Sequence, residues 1–186
     1  PTIAQTSDGE KLYVLISKAG SPTEYNLYYF DLSSGASGMV KGENIINVKN
    51  YKAGKMVVTI GGIDVYRIAV IDTATDKMGN VLYEEKNPRY TITGMAYDQN
   101  TDKLIVATGR GIYRVVDQAM IDMSVYLPDI EERIFDLDYS CFLNGQFVFI
   151  NQDTFFTSTI DQDDNARRLH FVNCGLGKDV RGFMQE

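Results

Sequence analysis

The sequence has no tryptophan, a single histidine, two cysteines and four prolines among its 186 residues. Each shortage removes a class of function. One imidazole leaves too few soft ligands for a zinc site, and the spacing of Cys141 and Cys174 matches no metal pattern. Two cysteines do not make a disulfide scaffold either. A Ser or Cys nucleophile would need His170 as its base. His170 sits in a predicted edge strand, far in sequence from Cys141, and is read as a structural or surface residue. No apolar run approaches ~18 residues, so no membrane insertion is expected, and no signal peptide is read in the sequence.

Positive charge is also scarce: 18 Lys and Arg stand against 25 Asp and Glu, for a net charge of −7. Nucleic-acid affinity rests on Lys and Arg neutralising phosphates, so no nucleic-acid partner is expected. Anionic membrane surfaces are disfavoured on the same ground. The one basic cluster, Arg167, Arg168, Lys178 and Arg181, is read as a solvated edge.

What the chain does have is strand chemistry. Twelve Tyr and nine Phe suit a pleated, half-buried surface. Four segments repeat one design, in which a turn bearing Gly, Asn or Asp precedes an apolar run. They are Asp8-Gly9-Glu10-Lys11-Leu12-Tyr13-Val14, Ala53-Gly54-Lys55-Met56-Val57-Val58, Thr101-Asp102-Lys103-Leu104-Ile105-Val106 and Asn144-Gly145-Gln146-Phe147-Val148-Phe149. Lys11, Lys55, Lys103 and Gln146 are spaced by 44, 48 and 43 residues. That period fits a β-propeller blade of four antiparallel strands, roughly 40–50 residues.

The predicted fold class is therefore all-β, a β-propeller with four blade-like four-stranded antiparallel units. Four blades would either close a small ring or form part of a larger propeller. The units fall at about 1–42, 43–88, 89–129 and 130–174 within a single domain, and 175–186 supply an extra or closing strand at Lys178–Met184. Among the predicted strands are Gly38–Lys41, Met123–Tyr126 and Ile134–Phe142. The best helical stretch, Val116 to Ser124, is short and uncapped, so almost no helix is expected.

Two stretches resemble the YVTN family of propeller repeats. They are Asp8-Gly9-Glu10-Lys11-Leu12-Tyr13-Val14 and Ile68-Ala69-Val70-Ile71-Asp72-Thr73-Ala74-Thr75-Asp76-Lys77, which cover about a tenth of the chain. The resemblance implies the fold and a tendency towards cell-surface or secreted binding proteins. It brings no catalytic residues. The fourth unit, through Asn144 to Phe149, Phe155-Phe156-Thr157-Ser158 and Asp161 to Arg168, is similar to the propeller-bearing tail nozzle proteins of short-tailed phages.

Several constellations carry the residue types of a site. Asp161-x-Asp163-x-Asn165 copies the start of a calcium loop, but Ala166 replaces the turn Gly and Val172 the bidentate Glu. Asp98-x-Asn100-x-Asp102 fails similarly at Lys103. Both are read as Asx-rich turns, with no metal site. Gly61-Gly62 and Gly109-x-Gly111 sit at hairpins with no helix following, so they make no phosphate loop. Cys141 and Cys174 map to opposite edges of one sheet, ~14 Å apart over three strand spacings, and are expected as free thiols.

Asp136 and Asp138 alternate on a predicted innermost strand, where they would line a wet channel or, alternatively, form an acid/base pair. Propellers normally bind through the loops at one mouth. Here those loops offer Glu24, Tyr25, Asp64, Arg110 and Asp153, with Lys86, Arg89, Glu131 and Arg133 from the links between units. Charge mixed with Tyr suits protein recognition. The expected function is a non-enzymatic binding or assembly module without cofactor, whose partner is another protein or itself. The alternatives are a phage virion subunit and an enzyme using Asp136 and Asp138.

Overall fold

A computed structural model of the chain describes residues 2–21, 23–61, 65–86, 92–99, 102–108, 111–122, 139–143, 146–151, 154–160 and 166–173, the last four stretches as backbone. The chain divides into two compact units, Pro1–Pro88 and Arg89–Glu186. Every described element is a strand or a turn.

The first unit holds two four-stranded antiparallel sheets. The first comprises β1 (Thr2–Gln5), β2 (Lys11–Ser17), β3 (Tyr25–Asp31) and β4 (Ser37–Met39), paired in chain order. Along β2, Tyr13 and Leu15 are buried while Leu12, Val14 and Ile16 are not. That alternation is what the two-residue period of a strand gives when one face is covered. The register extends the buried face across the sheet, because Tyr13 lies opposite Ala4 and Tyr29, and Leu15 opposite Leu27.

The second sheet comprises β5 (Ile45–Asn50), β6 (Lys55–Gly61), β7 (Tyr66–Asp72) and β8 (Lys77–Glu85), again in chain order. Strand β5 packs against β1, β2 and β3. The core of this unit runs between the sheets, with Tyr13, Leu15 and Leu27 from the first and Val48, Met56, Val58 and Ile71 from the second. Burying each large side chain of this kind contributes about 1.5–3 kcal/mol. The central strands of the second sheet are buried on both faces, since Val57 and Thr59, which point away from that core, are as hidden as Met56 and Val58. These strands accordingly read as nearly continuous apolar runs.

The second unit repeats the plan. Strands β9 (Ile92–Asp98), β10 (Lys103–Thr108), β11 (Gly111–Val116) and β12 (Ala119–Asp122) form one sheet. Strands β13 (Tyr139–Leu143), β14 (Gln146–Asn151), β15 (Thr154–Ile160) and β16 (Ala166–Asn173) form the other. β13 packs on β9. Met95, Leu104, Ile105 and Val106 are buried, and so are Asp98 and Lys103, which the register sets directly opposite each other.

Two strands differ from expectation. The fourth strand of the third sheet is Ala119–Asp122, because Asp117 and Gln118 both adopt left-handed backbone (φ 48° and 65°) and close a two-residue hairpin onto it, while the strand expected at Met123–Tyr126 lies outside the described residues. Turns of that hand match the strand twist and take Asp readily. Of the short, uncapped stretch Val116 to Ser124, the described residues, 116 to 122, are strand and turn, in keeping with the expectation of almost no helix. The β4 strand begins one residue early and ends at Met39 rather than Lys41. Residues 134–138 and the tail strand at Lys178–Met184 lie outside the described residues.

Candidate functional site

The connections of the first unit gather at two ends, and their chemistry differs. At the turn end, short acidic turns fold back on themselves. In the turn after β1, the Asp8 carboxylate accepts from the Thr6 hydroxyl (2.5 Å) and the Glu10 amide (2.9 Å), while Gly9 takes φ 76°. The Thr6 hydroxyl, and then the Glu10 N–H, hold the Asp8 carboxyl below its ordinary range. After β3, Asp31 accepts from the Ser33 and Ser34 amides at 3.0 and 2.8 Å. The Ser34 amide, followed by the Ser33 side chain, lowers its pKa to about 2. After β7, Asp72 accepts from the Ala74 and Thr75 amides, both at 3.1 Å. These are Asx turns, in which a short carboxylate replaces a backbone acceptor.

Asp76 closes the turn after β7 in left-handed backbone (φ 52°), which Asp tolerates because its side chain bonds locally. Its carboxylate does more than shape the turn. It accepts from Lys11 Nζ at 2.9 Å and from the Tyr13 hydroxyl at 2.6 Å, both on β2 of the neighbouring sheet. Lys11 also donates to the Thr73 carbonyl and stands 5.4 Å above the Tyr29 ring. Burial, and then its bond to Asp76, push the Tyr13 phenol far above its usual pKa of 10. The group is a polar clasp between the two sheets, with side chains of Lys11 and Asp76 only 15% and 12% exposed.

The loop end is built from the loop after β2 (residues 18–24), the link into β5 and the outer parts of β7 and β8. Asn44 ties it together. Its Oδ1 accepts from the Tyr25 amide (3.1 Å), its Nδ2 donates to the Thr23 carbonyl (3.3 Å), and its own carbonyl accepts from the Gly61 amide (2.9 Å). On this frame stand exposed charges. Lys18 pairs with Glu24 at 3.0 Å. Arg67 pairs with Glu84 at 2.8 Å and also with Glu43, so it bridges a strand and the link. Lys86 lies 3.5 Å from Glu84. Arg67 holds the Glu84 carboxyl below its ordinary range, and Lys86 adds to this.

Of the residues expected to face a partner, Glu24 and Tyr25 come together here. Glu24 is exposed, and Tyr25 is half-buried, packed against the core. Lys86 joins them at this end. Asp64, Arg89, Arg110, Glu131, Arg133 and Asp153 lie outside the described residues, as do Asp136, Asp138, Cys174 and the Asp161–Asn165 stretch. His170 falls on β16 opposite Thr157, and Cys141 on β13 opposite Val148, so the two occupy opposite outer strands of one sheet. In the second Asx stretch, Asp102 takes left-handed backbone and accepts from the Tyr97 hydroxyl at 2.7 Å. Among the described residues no group of three or more His, Cys, Asp or Glu side chains is arranged to hold a metal ion.

Sequence reasoning missed Glu43, Asn44, Arg67 and Glu84. The Arg67–Glu84 pair had a signal, because the two are cross-strand partners in one hairpin. Asn44 had none, because its three bonds depend on how two sheets meet.

No protein-family model matches the chain, and no curated protein matches it in sequence. Solved structures do match. A periplasmic gluconolactonase of Pseudomonas aeruginosa is similar over 98% of this chain and 58% of its own, with a TM-score of 0.61 and 12% identity. TolB of Acinetobacter baumannii is similar over 93% and 43%, with a TM-score of 0.59 and 14% identity. A chain of the nidogen/laminin complex is similar over 84% and 58%, with a TM-score of 0.58 and 7% identity. The chain thus spans from 43% to 58% of the length of these three. At such identities the likeness concerns fold alone, and the fold is that of a β-propeller, of which this chain carries four antiparallel four-stranded sheets.

Proposed function

We propose that the protein is a non-enzymatic recognition module that engages a protein partner through the loop end of its blades. The observation that supports this is the charge arrangement around Tyr25. Glu24, Glu43 and Glu84 are each ion-paired with Lys18 or Arg67 on a frame fixed by Asn44. Carboxylates held in exposed ion pairs suit a partner's complementary charges, which set specificity and association rate. The half-buried Tyr25 supplies the rigid aromatic contact that such surfaces use. One of the similar solved propellers, that of the nidogen/laminin complex, was captured in a protein complex, which agrees with this reading. The resemblance of two short stretches, about a tenth of the chain, to YVTN-type repeats points the same way.

The test is a photo-crosslinking amino acid placed at Glu24 and, separately, at Ser33 on the turn end. Partner capture from position 24 and none from position 33 is the expected result. Capture from position 33 alone would overturn the assignment of the binding end.

A further inference from the structure

Asp8-Gly9 is the one Asp-Gly pair in the sequence, and that dipeptide carries a reaction of its own. The amide nitrogen after an Asp can attack the side-chain carboxyl carbon, and Gly hinders this least because it has no Cβ. The new bond joins the Gly9 nitrogen to Asp8 Cγ, a Cγ–O bond breaks, and the departing hydroxyl leaves with the amide proton as water. Solvent water then opens the cyclic imide. Where it adds at the former main-chain carbonyl, the peptide afterwards runs through the Asp8 side chain, as isoaspartate. The reaction needs a neutral carboxyl, because a carboxylate does not give up its oxygen. It also needs a Gly9 nitrogen released from hydrogen bonding and a side chain able to turn towards it.

The turn withholds all three, and one residue is common to them. Thr6 is buried at the end of β1, and its hydroxyl donates to Asp8 Oδ1 at 2.5 Å. Its carbonyl accepts from the Gly9 amide at 2.9 Å. Thr6 therefore holds both reacting groups at once, the carboxylate through its side chain and the nitrogen through its main chain. The hydroxyl is itself fixed, because it accepts from the Lys11 amide at 3.0 Å. Asp8 Oδ1 also accepts from the Glu10 amide, and the Gly9 carbonyl accepts from Gln5 Nε2 at 3.0 Å. The Thr6 hydroxyl, and then the Glu10 amide, keep the Asp8 carboxyl below its ordinary range, so its neutral form is scarce. We propose that Asp8-Gly9 is a latent site of aspartate isomerisation and that Thr6 is the positioning residue that keeps it closed. The consequence reaches beyond the turn. Isoaspartate lengthens the main chain by one carbon just before Lys11, whose amide bonds Thr6 and whose ammonium bonds Asp76 of the neighbouring sheet. Opening the site thus loosens the clasp as well. The inference goes beyond the loop-end reading and is independent of it, because this turn belongs to the other end of the unit.

A timed incubation of the purified chain tests it, folded in mildly acidic buffer and, in parallel, unfolded in guanidinium chloride. The tryptic peptide ending at Lys11 is then resolved into its aspartate and isoaspartate forms by chromatography and fragmentation. Asn144-Gly145, which reaches the same product by losing ammonia, falls in another tryptic peptide and does not enter the readout. The folded chain is expected to isomerise at Asp8 at least about tenfold more slowly than the unfolded one, as the loss of a hydrogen bond to a charged group implies. Thr6→Val keeps the shape of the side chain without its hydroxyl and is expected to recover much of that difference while its far-UV spectrum stays that of the folded sheets. Thr6→Ser, which restores the hydroxyl, is expected to remain slow; a merely structural role for Thr6 would not separate the two variants in this way. Equal rates in the folded and unfolded unaltered chain would overturn the proposal without recourse to any variant, and so would a folded Thr6→Val as slow as the unaltered chain. Should Thr6→Val fail to fold, Thr6→Ala gives the same readout. Neither outcome touches the loop-end reading, whose readout is crosslinking from position 24.

Discussion

Asp76 is a single residue with two tasks that different chemistries would separate. It shapes a turn through left-handed backbone, and it anchors Lys11 and Tyr13 of the neighbouring sheet. Asn shares the backbone tolerance of Asp and keeps an acceptor for the phenol, so Asp76→Asn removes mainly the charge. We expect it to cost about 1–2 kcal/mol in urea denaturation, since a charged hydrogen bond in a half-buried site is lost without a cavity. Asp76→Ala removes both acceptors and adds backbone strain, and it is expected to cost more. Tyr13 makes a pH prediction. Its folded pKa is raised, so the neutral phenol stabilises the fold fully below the unfolded value of about 10, and this contribution is lost as pH rises beyond it. Stability is therefore expected to decline above pH 10. In Tyr13→Phe that decline should be shallower, as followed by unfolding midpoints between pH 8 and 11. At the acid side, an NMR titration should find the Asp31 carboxyl near its lowered value of about 2.

At the scale of elements, the hairpin is the unit that sequence reveals. The turn Asp72-Thr73-Ala74-Thr75-Asp76 was legible because its bonds are local: a carboxylate reaches amides two and three residues on. Strand spacing was legible for the same reason, and the four-strand period followed. The hairpin at Asp117-Gln118 misled because neither residue is Gly, yet both accept left-handed backbone. What no local pattern could reveal is the clasp, whose partners are 65 residues apart. Nor does composition separate the first sheet from the second: Lys11–Ser17 and Lys55–Gly61 are similarly apolar, but one is covered on a single face and the other on both. Of the candidate site, Glu24 and Tyr25 could be placed from the loop position alone, while Arg67 and Asn44 needed the sheets. Gly38 gives an element-level test. It lies opposite Tyr29 in the register, and an added Cβ would stand 2.8 Å from that ring. Gly38→Ala must displace Tyr29 from beside Lys11, and we expect a loss of about 1–2 kcal/mol in thermal or urea unfolding.

Across the whole chain, four sheets of one design leave the strands to supply rigidity and the connections to supply chemistry. The first unit spends its turn end on internal bonds, where Asp8, Asp31, Asp72 and Asp76 each satisfy amides, hydroxyls or a lysine of the same unit. Its loop end carries paired charges that remain exposed. The fold does not dictate a function, since similar propellers include a gluconolactonase and TolB. The division between a self-satisfied end and an outward-facing end is what supports recognition. The direct test is a titration calorimetry comparison, using the partner captured from position 24, of Glu24→Lys/Arg67→Glu with Asp31→Asn/Asp72→Asn. The account predicts that the loop-end pair weakens binding at least about tenfold while the turn-end pair leaves the affinity unchanged; equal affinity for the loop-end variant and the unaltered chain would contradict it.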